Sequence, residues 1–143
     1  MNVISPSAAP DTLGRTESAV CQKMLDALAE AYPEIVGAVV STADGFEIAA
    51  RLSPGLSAAT LSAMTSSQLA LSEAMSAETG VGRCINVVIE ADRGKLVMVD
   101  IPNRARKRLL TVLCNNSVSL GALLWPVRRC AAQIGERLDT SLG

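Results

Sequence analysis

The sequence contains no histidine. That single absence removes every histidine-based triad, the usual general base near neutral pH and most zinc sites. Aromatics are nearly missing as well: Tyr32, Phe46 and Trp125 make up 2% of the chain. Bases of single-stranded nucleic acid would find almost no rings on which to stack. No glycine-rich phosphate loop ending in Gly-Lys-Ser or Gly-Lys-Thr occurs, and Gly80-Val81-Gly82 precedes an expected strand instead of following one, so it reads as a turn. Asp44, Asp92 and Asp100 fall in or beside expected turns and strands, where turn stabilisation or solvation explains them better than acid/base pairing. No catalytic residue, cofactor or metal is therefore expected.

Apolar runs are also short. None approaches the roughly 20 residues that span a bilayer, and the opening MNVISPSAAPDTLG has neither a basic start nor a continuous apolar stretch of the signal-peptide kind. Cys21, Cys84, Cys114 and Cys130 form no CxxC pair and each lies in an apolar segment, which fits reduced, buried thiols in a reducing compartment. A cytoplasmic location is the expectation. Thirteen basic residues balance fourteen acidic ones, a net charge of −1, so no global field draws the chain to DNA or a membrane. The balance is uneven along the chain. Arg104, Arg106, Lys107, Arg108, Arg128 and Arg129 fall between Ile101 and Cys130 with no acid among them, while the first fifty residues carry seven acids against Arg15 and Lys23. Such asymmetry can orient a partner. The run Arg104 to Arg108 can meet phosphate or an acidic partner, or stay solvated.

What is present is enough for one domain. A chain of 143 residues, 49% apolar, buries roughly two thirds of the surface its unfolded form exposes. Residues 1–16, with two prolines amid Ser, Ala and Gly, read as a flexible tail, and 17–140 as the domain. Val20, Cys21, Met24, Leu25 and Leu28 recur at helical spacing until Pro33 ends the run. Two β-rich segments then flank Ala43-Asp44-Gly45, a strong hairpin pattern. A second hairpin joins CINVVIEA to KLVMVDI through Asp92-Arg93-Gly94, and LLTVLCNN reads as a fifth strand. In it Leu110, Val112 and Cys114 point one way and Leu109, Thr111 and Leu113 the other, so both faces need cover. A last amphipathic helix aligns Leu120, Leu124, Val127, Ala131, Ile134 and Leu138. Pro126 within it predicts a kink or a late start, with Asn116 or Ser117 as earlier caps.

The middle helix, between Gly55 and Gly80, is unusual because no charge appears from Pro54 until Glu73. At 100° per residue it divides into three arcs. Leu61, Met64, Gln68, Leu71 and Met75 form a large, mostly apolar stripe suited to packing on the sheet. Ala59, Ala63, Ser67, Ala70, Ala74 and Ala77 form a stripe of small residues. Ser62, Thr65, Leu69, Ser72 and Ser76 form an uncharged polar arc. Small residues in register let a second helix approach closely, and a charge-poor arc resembles an interface core. Either a second copy of the chain or another helix of the same chain covers the small stripe, and a symmetric homodimer is the commoner solution.

The Ile35-Val36-Gly37-Ala38-Val39-Val40-Ser41 strand running into Ala43-Asp44-Gly45, the Ala/Ser-rich helix, the strands around Asp92-Arg93-Gly94, and Leu120-Gly121 opening the last helix together resemble the roadblock / dynein light chain family over roughly residues 17 to 140. The resemblance implies a roadblock/profilin-like α+β fold of order α-β-β-α-β-β-β-α. Its five-stranded antiparallel sheet would carry the central helix on one face and the N- and C-terminal helices on the other. It also implies a homodimer in which central helices pair through the small stripe and the strand from Cys84 to Glu90 meets its twin, bringing Ile85 and Val87 into the interface. Bacterial members of this kind regulate small Ras-like GTPases, so the resemblance implies a non-catalytic scaffold. Its partners would be itself and a small Ras-like GTPase docked on Ser62, Thr65, Leu69, Ser72 and Ser76, with no nucleic acid or membrane. A small-molecule sensor is the alternative, since a sheet backed by helices can enclose a pocket.

Overall fold

The computed structural model describes residues 8–142, with side chains over 14–140. Helix α1 (Ala8–Ala31) leads into strands β1 (Ile35–Thr42) and β2 (Glu47–Arg51), followed by helix α2 (Ala58–Thr79). Strands β3 (Asn86–Ala91), β4 (Gly94–Ile101) and β5 (Arg108–Cys114) precede helix α3 (Leu120–Leu142). The expected order of elements is the observed one. Helix α1 begins nine residues before Glu17, the expected start of order. Pro10 falls in its first turn, where the missing N–H costs nothing. Of the tail expected over 1–16, residues 1–7 lie outside the described residues.

The strands form one antiparallel sheet in the order β2-β1-β5-β4-β3. Both hairpins close where Asp and Gly allow it. Gly45 takes φ 98°, and the Thr42 hydroxyl oxygen accepts the Phe46 N–H at 2.9 Å, which sets the end of β1. Because side chains alternate along a strand, β5 divides its residues between two layers. Leu110, Val112 and Cys114 join Ala38 and Val40 of β1 and Val97, Val99 and Ile101 of β4 in the main core, covered by α1 and α3. Leu109 and Thr111 face the opposite side, toward α2.

The stripe expected on α3 is buried from Val127 through Ala131, Ile134 and Leu138, with Leu123 and Cys130 beside it, while Leu120 and Leu124 are half-buried. Pro126 neither delays nor ends the helix. Ser119, rather than Asn116 or Ser117, caps it, its hydroxyl accepting the Ala122 N–H. Gly135 of α3 lies so close to the β4–β5 loop that a Cβ there would sit 1.9 Å from the Pro102 carbonyl oxygen. Asn103 reinforces that contact by donating to the Gly135 carbonyl and to Asp139, while its own side-chain carbonyl accepts the N–H groups of Ala105 and Arg106. Arg108, expected within a basic loop, is instead buried at the start of β5, where its guanidinium donates to Glu17 of α1, also buried. A charge can leave water on such terms when its partner leaves with it. Cys21, Cys114 and Cys130 are buried as expected, and Cys84 only half so. Burial, with help from the Glu17 charge, pushes the Cys21 thiol up to about 12, and burial pushes Cys130 up to about 11, which makes both poor nucleophiles.

Candidate functional site

Helix α2 is set by local chemistry at its start: the Ser57 side chain caps it by accepting the Thr60 N–H at 3.1 Å. Its rotation about its own axis, however, is the reverse of the one hydrophobicity suggests. Ser62, Thr65 and Leu69 are buried beneath it, and Ser72 and Ser76 are half-buried. These are the five residues expected to dock a partner. The arc does not form a docking surface, because three of the five face the sheet and are out of a partner's reach. Thr65 and Thr111 share a hydrogen bond of 2.9 Å between their hydroxyls, and Leu69 packs on Met98 and Leu109. The sheet below α2 presents hydroxyls at Ser41 and Thr111, and a small, weakly polar arc matches that surface where a row of Met and Leu would not.

The consequence is an apolar surface facing outward. Met64, Leu71 and Met75, expected against the sheet, are 62%, 57% and 60% exposed, and only Leu61 and Gln68 of that stripe are half-buried. Beside them lie Ala59, Ala63, Ser67, Ala70, Ala74 and Ala77, all exposed. The outer face of α2 thus combines small and large apolar residues in adjacent rows, with no charge from Ala58 to Ser72. Contiguous exposed apolar surface of this kind marks an interaction site. Met64, Leu71 and Met75 escaped sequence reasoning because the largest apolar stripe of a helix normally turns inward. The one available clue was the pairing of the Thr65 hydroxyl with Thr111, 46 positions further along the chain.

The sheet continues this surface. Helix α2 packs chiefly on β1, β2 and β5, which leaves the β3 side of that face lightly covered. β3 is an edge strand, with one side unpaired. Ile85, just before it, is 59% exposed, Val87 is half-buried beside Leu69, Met98 and Leu109, and Ile89 is exposed. The structure therefore brings the expected interface residues together on one side of the molecule: the small stripe of α2, and Ile85 and Val87 at the free edge. Among the described residues no group of His, Cys, Asp and Glu could hold a metal ion, and no helix is long and apolar enough to cross a membrane.

A family model for the Roadblock/LC7 domain matches residues 21–113. An uncharacterized protein of Methanocaldococcus jannaschii is 34% identical over 100 residues, spanning 70% of this chain and 84% of that one. Two solved structures share the fold. The Roadblock/LC7 domain from Streptomyces avermitilis superposes with a TM-score of 0.72 at 19% identity, over 82% of this chain and 96% of that one. Myxococcus xanthus MglB superposes with a TM-score of 0.75 at 15% identity, over 97% of this chain and 96% of that one. With its central helix on one sheet face and its terminal helices on the other, the chain belongs to the Roadblock/LC7 domain family.

Proposed function

We propose that this chain is a non-catalytic, homodimeric regulator of a small Ras-like GTPase. The observation that carries the dimer is the outer face of α2, where Met64, Leu71 and Met75 stand exposed beside a row of alanines. Alanines let two helices approach closely, and the larger side chains of one copy fill the spaces between those of the other. A two-fold axis through the α2 pair makes one patch serve both copies, and it sets the free edge of β3 near its twin, where Ile85 and Val87 gain cover. The GTPase reading rests on family membership and on the regulatory role that the resemblance implies for bacterial members. The docking surface belongs on the flanks of the paired α2 helices, since the arc through Ser62, Thr65 and Leu69 is spent within the chain.

Light scattering gives the first test. The natural chain is expected at twice its monomer mass, and Ala70→Glu at monomer mass with unchanged circular dichroism, because a carboxylate at the seam loses its water without gaining a partner. A natural chain that runs as a monomer would remove the dimer. The second test titrates the dimer against small Ras-like GTPases loaded with GDP or a GTP analogue. Binding that Ala70→Glu abolishes supports the regulator, whereas a stable dimer that binds none of them in either state leaves a dimer without this function.

A further inference from the structure

A second feature lies where the end of α2, the segment entering β3 and the β4–β5 loop converge. They enclose an open cleft of about 930 Å³. Five cations line it, Arg83, Arg104, Arg106, Lys107 and Arg128, against two carboxylates, Glu73 and Asp100. Two of the cations are already engaged. Lys107 donates to Glu73 at 2.5 Å, and Arg128 donates to the Asn86 side-chain carbonyl. Arg83, Arg104 and Arg106 form no salt bridge among the described residues. The backbone that carries Arg104 and Arg106 is nonetheless fixed, since Asn103 ties the Arg104–Arg106 turn to α3 and Gly135 seats Pro102 directly against that helix.

Lys107 Nζ is held between Glu73 and Asp100, 4.0 Å from the latter, so the lining's remaining cationic surplus is Arg83, Arg104 and Arg106. Single-stranded nucleic acid would find no aromatic ring in the lining. The cleft, about 930 Å³ with apolar residues in its lining, is far larger than one free phosphate, whereas an extended peptide with Asp or Glu side chains offers several carboxylates, each matching an arginine fork as a bidentate pair. Ala77, Ile85 and Pro102 give its apolar atoms a floor.

We propose that this cleft binds an extended acidic segment of a partner protein, with its carboxylates on Arg83, Arg104 and Arg106. The site stands apart from the dimer seam: Ala77 and Ile85 border both, whereas the three arginines border the cleft alone. It requires neither the dimer nor a GTPase.

The test is fluorescence anisotropy with a short labelled oligo-glutamate peptide and an oligo-glutamine control. The acidic peptide is expected to bind at low salt and weaken as salt rises, with the control silent. R83A/R104A/R106A should weaken binding by about tenfold or more, with its light-scattering mass and thermal unfolding unchanged. Competition with inorganic phosphate and with phosphatidylserine vesicles separates the peptide from a bare anion and from a lipid surface. The proposal is overturned if the natural chain ignores the acidic peptide, if the triple variant binds it equally, or if phosphate or phosphatidylserine vesicles displace it at matched charge.

Discussion

The two faces of the sheet are built by different rules. Toward α1 and α3 the sheet presents Ala38, Val40, Val97, Val99, Leu110 and Val112, and the helices answer with Leu25, Leu28, Val127, Ile134 and Leu138, in one continuous apolar core. Toward α2 the buried apolar cluster is Leu69, Met98 and Leu109, with Val39 buried opposite Thr111 on the same face, and hydroxyls at Ser41, Ser62, Thr65 and Thr111 are buried beside them. The first face is finished within one chain. The second turns Ser62, Thr65 and Leu69 to the sheet and leaves Met64, Leu71 and Met75 in water. The main core is thereby closed within one chain, whereas the outer surface of α2 stays open, and the proposed dimer rests on that surface.

The sharpest way to break this comparison is at the buried ion pair of the finished face. Glu17→Ala leaves the buried Arg108 charge without its counter-ion, with the Arg106 carbonyl still accepting from it, and should cost about 3–5 kcal/mol, read from the denaturant midpoint. Replacing both residues by apolar ones of similar volume should recover most of that loss, because it is the orphaned charge, more than the missing pair, that destabilises. A smaller and more direct contrast lies within β5. Leu110 and Leu109 are neighbours in sequence, both buried, on opposite faces. Leu110→Ala should cost about 4 kcal/mol and Leu109→Ala about 2 kcal/mol, since the thinner layer under α2 can settle into the space. Equal losses would mean that the α2 layer is packed as firmly as the core, and the division between the faces would fail.

Much of the architecture was legible because it follows local rules. The turns at Asp44-Gly45 and Asp92-Arg93, the alternation in β5 and the apolar stripes of α1 and α3 each state their own geometry within a few residues. Two features were not legible, and both depend on distant partners. Arg108 reads as one of a basic run, yet it is buried because Glu17 waits for it 91 positions earlier. The rotation of α2 is hidden for a related reason. Its bulkiest apolar stripe suggests the wrong inner side, whereas the observed one carries Thr65, whose partner Thr111 lies 46 positions away. The expected interface stripe, Ala59 through Ala77, lies on the exposed side, while the docking arc beside it turned out to be the floor of the helix. A helix wheel separates arcs well but cannot rank them when none is charged.

That hydroxyl contact provides the finer test of the α2 face. Thr65→Val leaves the Thr111 hydroxyl buried with its partner gone, and should cost about 1–2 kcal/mol by chemical denaturation. Thr65→Val combined with Thr111→Val removes donor and acceptor together and should return close to the natural stability. If the losses simply added, the two hydroxyls would not be acting as a pair, and the inward choice of this arc would need another cause.

The smallest expected effect has the opposite sign. Ser62 Oγ is buried at the centre of the α2 contact with no hydrogen-bond partner, and Ser41 Oγ in β1 is in the same condition. A buried hydroxyl without a partner pays its desolvation cost and gains nothing in return. Ser62→Ala removes the oxygen while leaving the methylene contact, and alanine suits a helix interior better than serine. The variant should therefore be more stable than the natural chain by up to about 1 kcal/mol, with unchanged light-scattering mass, measured as a rise in the denaturant midpoint at constant slope. A fall in the midpoint would mean that Ser62 finds a partner in solution, such as a bound water reaching Ser41. The α2 face would then be a satisfied polar layer instead of a loosely matched one, and its contrast with the apolar core would be one of chemistry alone.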